Sequence, residues 1–244
     1  MTATCPGAPR ASASSGPVWG GNTVPVTLDA LIFDFDGLIM DTESTLLESW
    51  RWEWRRHGLE LPEEGFFAAH GGPVPERYTA LAAAVGPGFD REVSEARRNA
   101  YRARLHETLE PAPGIREWFG EAAELGLRLA VASSSGAGWV HGNLTRAGLL
   151  DRIEVTACGN EVAAHKPDPA VYRLALERLG IPPSRALAFE DTPHGVAAAQ
   201  AAGLRCVAIP NAFVEAGRFT AADLVLPSAA DLTLETVIDK VTGV

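Results

Sequence analysis

The chain has 244 residues, 46% of them hydrophobic, and a formal net charge of −10, which is enough to bury one large core or a core with a smaller companion. The acidic balance, without a dense Lys/Arg run, argues against sequence-independent nucleic-acid binding, although such a chain can still bind a phosphate locally. No apolar run approaches the roughly 18 residues of a membrane helix, the first residues lack the features of a secretory signal, and Cys5, Cys158 and Cys206 suit neither a disulfide framework nor a thiolate zinc site. The expectation is a cytoplasmic protein with free thiols and no membrane partner.

Residues 1–26, rich in Ala, Ser, Gly, Pro and Thr, show no sustained period and are expected to be a flexible leader or an overlong start. Leu31 to Phe33 then read as a buried parallel strand. Asp34 and Asp36 follow at its carboxyl end, two residues apart, so extended geometry places both side chains on one face, and Gly37 lets the chain turn. Open α/β sheets place their sites outside the carboxyl ends of strands, where two close carboxylates hold a divalent cation or divide nucleophile and acid/base roles. A strand edge with an Asp-Gly turn is the bland alternative; it accounts for Asp36-Gly37 and leaves Asp34 unexplained.

Residues 43–109 look helical throughout. Leu46, Leu47, Trp50 and Trp54 recur at helical spacing, as do Tyr78, Leu81, Ala82 and Val85, and a third helix is predicted from Asp90 to about Thr108. Trp50 and Trp54 share a helix face that Trp52 does not. Beyond residue 110 the rhythm changes: apolar runs at Leu127–Ala132, Ile153–Ala157, Ala186–Phe189, Arg205–Ile209 and Leu224–Leu226 alternate with helical segments, the pattern of a doubly wound parallel sheet. Asp168-Pro169 and Thr192-Pro193 mark helix starts, with Gly180 and Gly203 at the corresponding ends. The predicted organisation is an α/β, Rossmann-like core from residues 27–42 and 110–244, with residues 43–109 as a helical lid above the same sheet edge.

Four separated segments, Asp34-Phe35-Asp36-Gly37, Ser133-Ser134-Ser135, Lys166-Pro167 and Glu190-Asp191, carry candidate chemistry, joined by two features of the lid, and each has an ordinary reading beside the functional one. Ser133 and Ser134 follow the Leu127–Ala132 run and offer a hydroxyl and N–H groups, or simply a Ser-rich turn. Lys166 in an Ala-Ala-His-Lys-Pro loop is a compact cation, or a solvated one. Glu190-Asp191 closes the run ending at Phe189, as metal ligands or as a favourable helix start. His70-Gly71-Gly72-Pro73 lies between predicted helices of the lid, where Gly-Gly permits close approach and an imidazole can meet a leaving group, or where an interhelix turn exposes it. Arg77 either reaches the same pocket or is solvated. Together the segments supply carboxylates for a hard cation, a hydroxyl and an ammonium for phosphoryl oxygens, and a carboxylate for proton transfer.

In order and spacing these motifs resemble the haloacid dehalogenase-like superfamily, specifically its phosphoglycolate-phosphatase-like and β-phosphoglucomutase-like branch with a helical cap inserted after the first motif. The resemblance covers about residues 29 to 228, and its most specific part is Asp34-x-Asp36-Gly37 followed by Asp41-Thr42-Glu43. It implies that Asp34 is a nucleophile forming an aspartyl phosphate and that Asp36 is the general acid and base. It further implies a Mg²⁺ held by Asp34, Asp191 and the Asp36 backbone carbonyl with help from Glu190, and phosphoryl oxygens bound by Ser133, Ser134 and Lys166. The mutase-like members carry a His after the Asp-Thr, a cap Arg and a Lys-Asn pair after the second motif; Leu46, Val74 and Gly136-Ala137 stand at the corresponding positions here. That departure favours hydrolysis of a small phosphorylated metabolite over a sugar-phosphate mutase, with a non-catalytic binding module as a third reading. The sequence leaves the oligomeric state open.

Overall fold

The computed structural model describes residues 1, 27–63, 66, 74–211, 213–214 and 216–243; the 1–26 leader thus lies almost wholly outside the described residues. Strand β1 (Ala30–Phe33) is buried along its whole length, as a continuous apolar run permits only for a strand covered on both faces. It pairs in parallel with β2 (Arg128–Ser133) on one side and β4 (Ala186–Glu190) on the other. Adding β3 (Val155–Cys158), β5 (Arg205–Ala208) and β6 (Leu224–Val225) gives the all-parallel order β3-β2-β1-β4-β5-β6. The chain runs outward from β1 to β3 and then returns to the other side of β1. A crevice opens outside the carboxyl ends of the strands at that reversal.

Between β1 and β2 the chain inserts α1 (Thr42–Arg56), α2 (Val74–Val85) and α3 (Arg91–Glu107). They carry a hydrophobic cluster of their own, with Leu47, Trp50, Trp54, Phe66, Tyr78 and Leu81 buried. Trp52 stacks instead on Tyr101 at 4.3 Å, as its helix phase predicts. Buried Glu53 of α1 accepts from Ser94 Oγ of α3 at 2.7 Å, and Arg98 donates to the Tyr78 hydroxyl at 2.8 Å. The two connections to this insertion are joined to each other: Met40 bridges Pro111, and Ala112 N–H donates to Ile39 O at 2.8 Å.

The remaining helices sandwich the sheet. α4 (Ile115–Glu124), α5 (Ala137–Arg146) and α8 (Leu234–Thr242) cover one face, and α6 (Ala170–Leu179) and α7 (Pro193–Ala201) the other. Alternation along β1 divides its side chains accordingly, Leu31 and Phe33 to the first face and Ala30 and Ile32 to the second. Phe33 stacks on Phe189 at 4.5 Å and Trp118 packs on Phe189 at 5.2 Å, pairs that add about 1 kcal/mol each beyond buried area. No helix among the described residues is long and apolar enough to cross a membrane.

Most strand boundaries fall within a residue of the sequence expectation, and two shifts have a local cause. β3 starts at Val155 rather than Ile153, because Leu150–Arg152 forms a 3-10 turn that draws the Ile153 N–H to Leu150 O. α6 starts one residue later than Asp168-Pro169 implies: Pro169 holds the cap position, while Asp168 still accepts the Ala170 N–H at 2.9 Å. Thr192 caps α7 as expected, accepting from Gly195 N–H at 3.1 Å.

Candidate active site

Asp34 directly follows β1, its N–H bonded to Phe189 O of β4 at 2.9 Å. β4 ends in Glu190, and Asp191 follows directly. The parallel register sets Phe33 beside Phe189, so the three carboxyl groups leave neighbouring strand ends together. Asp34, Glu190 and Asp191 are buried, and one oxygen of each lies within 4.8 Å of the other two. Lys166 enters from the loop before α6. Its Nζ lies 2.5 Å from Asp34 Oδ1, 2.5 Å from Glu190 Oε1 and 2.8 Å from Ala132 O at the end of β2. Three donors on one ammonium find three acceptors, which satisfies it fully.

Further residues hold the acids in place. Tyr172 of α6 donates to Glu190 Oε1 at 2.6 Å, the Asp191 N–H donates to Glu190 Oε2 at 3.2 Å, and Asn211 Nδ2 donates to Asp191 Oδ2 at 2.8 Å. Two glycines make room. A Cβ on Gly37, whose φ is +88°, would lie 2.1 Å from Asp191 Oδ2, and one on Gly195 would lie 1.8 Å from Glu190 Oε2. Neither position tolerates a side chain without moving a carboxylate.

The electrostatics are unbalanced. Burial pushes the Asp34 carboxyl up to about 8; the Lys166 charge pulls it down and the Glu190 charge adds to the rise. Burial, then the charges of Asp34 and Glu190, raise Asp191 as well. Burial alone would lower the Lys166 ammonium, but Asp34 and Glu190 outweigh it and keep it protonated. Three carboxyl groups therefore share one ammonium, and the raised values of Asp34 and Asp191 mark a set that a further hard cation would stabilise in its ionised form and that offers it oxygen donors alone.

Asp36 stands apart from this cluster. Strand pairing stops at Phe33, and the Gly37 N–H turns back to Met40 O at 2.8 Å, so Asp36 engages different partners from Asp34 instead of simply repeating its strand face. Ser135 Oγ donates to Asp36 Oδ2 at 2.6 Å and Trp139 Nε1 to Asp36 Oδ1 at 2.9 Å. Ser133 is buried at the end of β2, its hydroxyl accepting the Ser135 N–H at 3.0 Å, and Ser134 is exposed at the crevice. His165, beside Lys166, is exposed.

The structure thus brings Asp34, Lys166, Glu190 and Asp191 into direct association, with Asp36, Ser133 and Ser134 at the same edge. His70 and Gly71 lie outside the described residues. Arg77 is buried in the helical insertion with its guanidinium 4.5 Å over the Phe66 ring, so packing rather than solvent surrounds it. Sequence reasoning missed Ser135, Trp139, Tyr172 and Asn211. Ser135 belongs to the serine run already singled out, and Asn211 follows β5 at the edge where the other site residues lie; those were the available signals.

Comparison with known proteins places the chain in a family. A family model described as haloacid dehalogenase-like hydrolase matches residues 31–209. A Bacillus subtilis protein named "Putative phosphatase YhcW" is 36% identical over 218 residues, covering 88% of this chain and 99% of that protein. A Thermotoga maritima protein named phosphorylated carbohydrates phosphatase is 32% identical over 182 residues, 72% of this chain and 82% of the relative. Among solved structures, a HAD family hydrolase from Deinococcus radiodurans with bound phosphate and sodium superposes with a TM-score of 0.75 at 27% identity, covering 88% of this chain and 97% of the other.

Proposed function

The chain belongs to the haloacid dehalogenase-like hydrolase family, and from that premise we propose that it is a Mg²⁺-dependent phosphatase that hydrolyses a small phosphorylated metabolite, preferably a sugar phosphate, in the cytoplasm. The observation that carries this reading is the buried cluster of Asp34, Glu190 and Asp191 around the single ammonium of Lys166. The names of the relatives support the substrate class.

The Asp34 and Asp191 carboxylates and the Asp36 backbone carbonyl would hold the cation. Glu190, whose oxygens already accept from Lys166, Tyr172 and the Asp191 N–H, would support it through water and keep Lys166 in place. Bound there, Mg²⁺ would offset the negative charge of the phosphoryl group and of the attacking carboxylate. Asp34 then attacks phosphorus; the bond to the leaving oxygen breaks, and Asp36 gives that oxygen a proton. The aspartyl phosphate is hydrolysed by water whose proton Asp36 takes, returning both carboxyl groups to their starting state. Ser133 Oγ and the Ser134 N–H bind phosphoryl oxygens, and Lys166 joins them by exchanging one of its three present acceptors for a phosphoryl oxygen.

Residues 43–109 would act as a cap that closes over the crevice and excludes water, with His70 and Gly71 among the groups meeting the leaving group. Arg77, packed on Phe66, would shape the cap pocket. A mutase is not favoured: Gly136 and Ala137 present no side chain able to clamp a second phosphate, and the Ala137 N–H is already bonded to Asn160 Oδ1 at 2.8 Å.

Released phosphate measured across a panel of sugar phosphates, with Mg²⁺ and with EDTA, tests the proposal. Mg²⁺-dependent release by the wild type and none by Asp34→Asn, with an unchanged circular dichroism spectrum, is expected. Near-normal turnover by Asp34→Asn would remove the nucleophile, and silence across the panel would return the protein to a binding role. Isomerisation of a hexose 1-phosphate faster than phosphate release would make it a mutase.

A further inference from the structure

Asp36 is held by two donors of different chemistry. Trp139 sits in the first turn of α5, and its indole N–H reaches Asp36 Oδ1 at 2.9 Å; Ser135, two residues before that helix, reaches Asp36 Oδ2 at 2.6 Å. An indole N–H can only donate. A serine hydroxyl can donate or accept. When Asp36 is ionised, both donors are satisfied. When it is protonated, a proton on Oδ1 would oppose the Trp139 N–H, whereas a proton on Oδ2 needs only that the Ser135 hydroxyl rotate to accept.

Trp139 is itself fixed on several sides. The His106 ring of α3 packs edge-on against its indole at 4.7 Å. Asn143 Nδ2 donates to Trp139 O at 2.8 Å, Arg146 donates to Asn143 Oδ1 at 2.9 Å, and the same Arg146 nitrogen donates to His106 O at 2.7 Å. The circuit closes from Trp139 through Asn143 and Arg146 to His106 and back. His106 Nε2 also lies 2.8 Å from Thr45 Oγ1 of α1, so both ends of the helical insertion meet at the residue that abuts the indole.

We propose that Trp139 and Ser135 are positioning residues for Asp36: Trp139 pins Oδ1 in every protonation state, and Oδ2, under the reversible hydroxyl of Ser135, is the oxygen that carries the proton to the leaving group. The proposal rests on the phosphatase reading above and deepens it. It predicts a defect graded by the leaving group. A p-nitrophenolate departs with little proton assistance, whereas an alkoxide from a sugar or glycerol phosphate needs it, and kcat/KM reports only steps through departure of the leaving group.

The experiment compares kcat/KM of the wild type, Trp139→Phe and Ser135→Ala on p-nitrophenyl phosphate and on the best alkyl phosphate, with Mg²⁺. Trp139→Phe keeps a ring against His106 and removes the N–H. Its loss on the alkyl phosphate is expected to exceed its loss on the aryl phosphate by about tenfold or more, and Ser135→Ala is expected to show the same selectivity at about threefold, fractions of the 10²–10⁴ that general acid catalysis supplies. Equal losses on the two substrates, or no loss on either, would overturn the proposal. If Trp139→Phe fails to fold, Ser135→Ala decides by the same comparison. A wild type that releases phosphate from neither substrate overturns the phosphatase reading along with this one, whereas equal losses with an active wild type overturn this one alone.

Discussion

Replacing Lys166 by Met tests the electrostatic account of the site directly. The substitution keeps an apolar stem of similar length and removes the ammonium that lies 2.5 Å from Asp34 Oδ1, 2.5 Å from Glu190 Oε1 and 2.8 Å from Ala132 O. Both carboxylate partners are almost fully buried, with side chains 10% and 0% exposed. Breaking a buried ion pair by removing one member costs about 3–5 kcal/mol. At 2–4 °C per kcal/mol for a chain of this size, Tm should fall by roughly 6–20 °C. The readout is thermal melting by circular dichroism in EDTA at neutral pH. Since burial raises Asp34 and Asp191 above the ordinary carboxylate range, the folded state holds protons that the unfolded chain has lost, and folding gains relative stability as pH falls toward the unfolded values. The ammonium holds the Asp34 carboxyl down to about 8 and its removal lets that value rise further, so the deficit of Lys166→Met should be widest above it, narrow as pH falls through it, and narrow again when Mg²⁺ is added. A Tm within about 3 °C of the wild type in EDTA, well below the ion-pair estimate, or a deficit that grows as pH falls, would refute the reasoning.

Two further outcomes follow from the geometry. Gly195→Ala places a methyl within 1.8 Å of the Glu190 carboxylate and should cost about 1–3 kcal/mol by overpacking together with most of the phosphatase activity; a variant with wild-type Tm and turnover would show that Glu190 moves freely. His106, lowered to about 4 by burial first and by the Arg102 charge second, is neutral when folded, whereas the unfolded imidazole protonates near 6.5. Its contribution is complete above 6.5 and is lost as pH falls toward 4, by up to about 3 kcal/mol. Urea denaturation of wild type and His106→Gln across that window should give curves that converge as pH falls, and parallel curves would contradict the assignment.

The sequence announced the site through local pattern and left its supports silent. Asp34 was visible because a carboxylate directly after Leu-Ile-Phe has no packing role, Asp191 because it follows the end of a strand at the same sheet edge, and Lys166 only as a cation in a loop that completed the set. Trp139 gave no such sign. It sits 103 residues from Asp36 in a helix whose apolar spacing is fully accounted for by packing, and only the pairing of β1 with β2 brings the two together. Tyr172 likewise reads as a core residue of α6, and its hydroxyl gains meaning only once β4 lies beneath it. Periodicity reports which face of an element is buried; which polar atom waits there is set by strand order. The late start of β3 has a more local cause, since the 3-10 turn at Leu150–Arg152 takes residues whose apolar run suits a strand equally well.

The bridge between Met40 and Pro111, with the Ala112 N–H on Ile39 O, has a consequence beyond holding two loops together. It makes the entrance and exit of the helical segment neighbours in space, so the core closes on itself at that point whatever chain is spliced between them. A segment with adjacent ends can be lengthened, shortened or exchanged without disturbing strand register, because the entropy of closing a loop changes only slowly with its length. Asp34 and the acidic cluster around it can then stay fixed through descent while the spliced segment is rewritten, and new substrates become reachable by replacing a cassette instead of redesigning an enzyme.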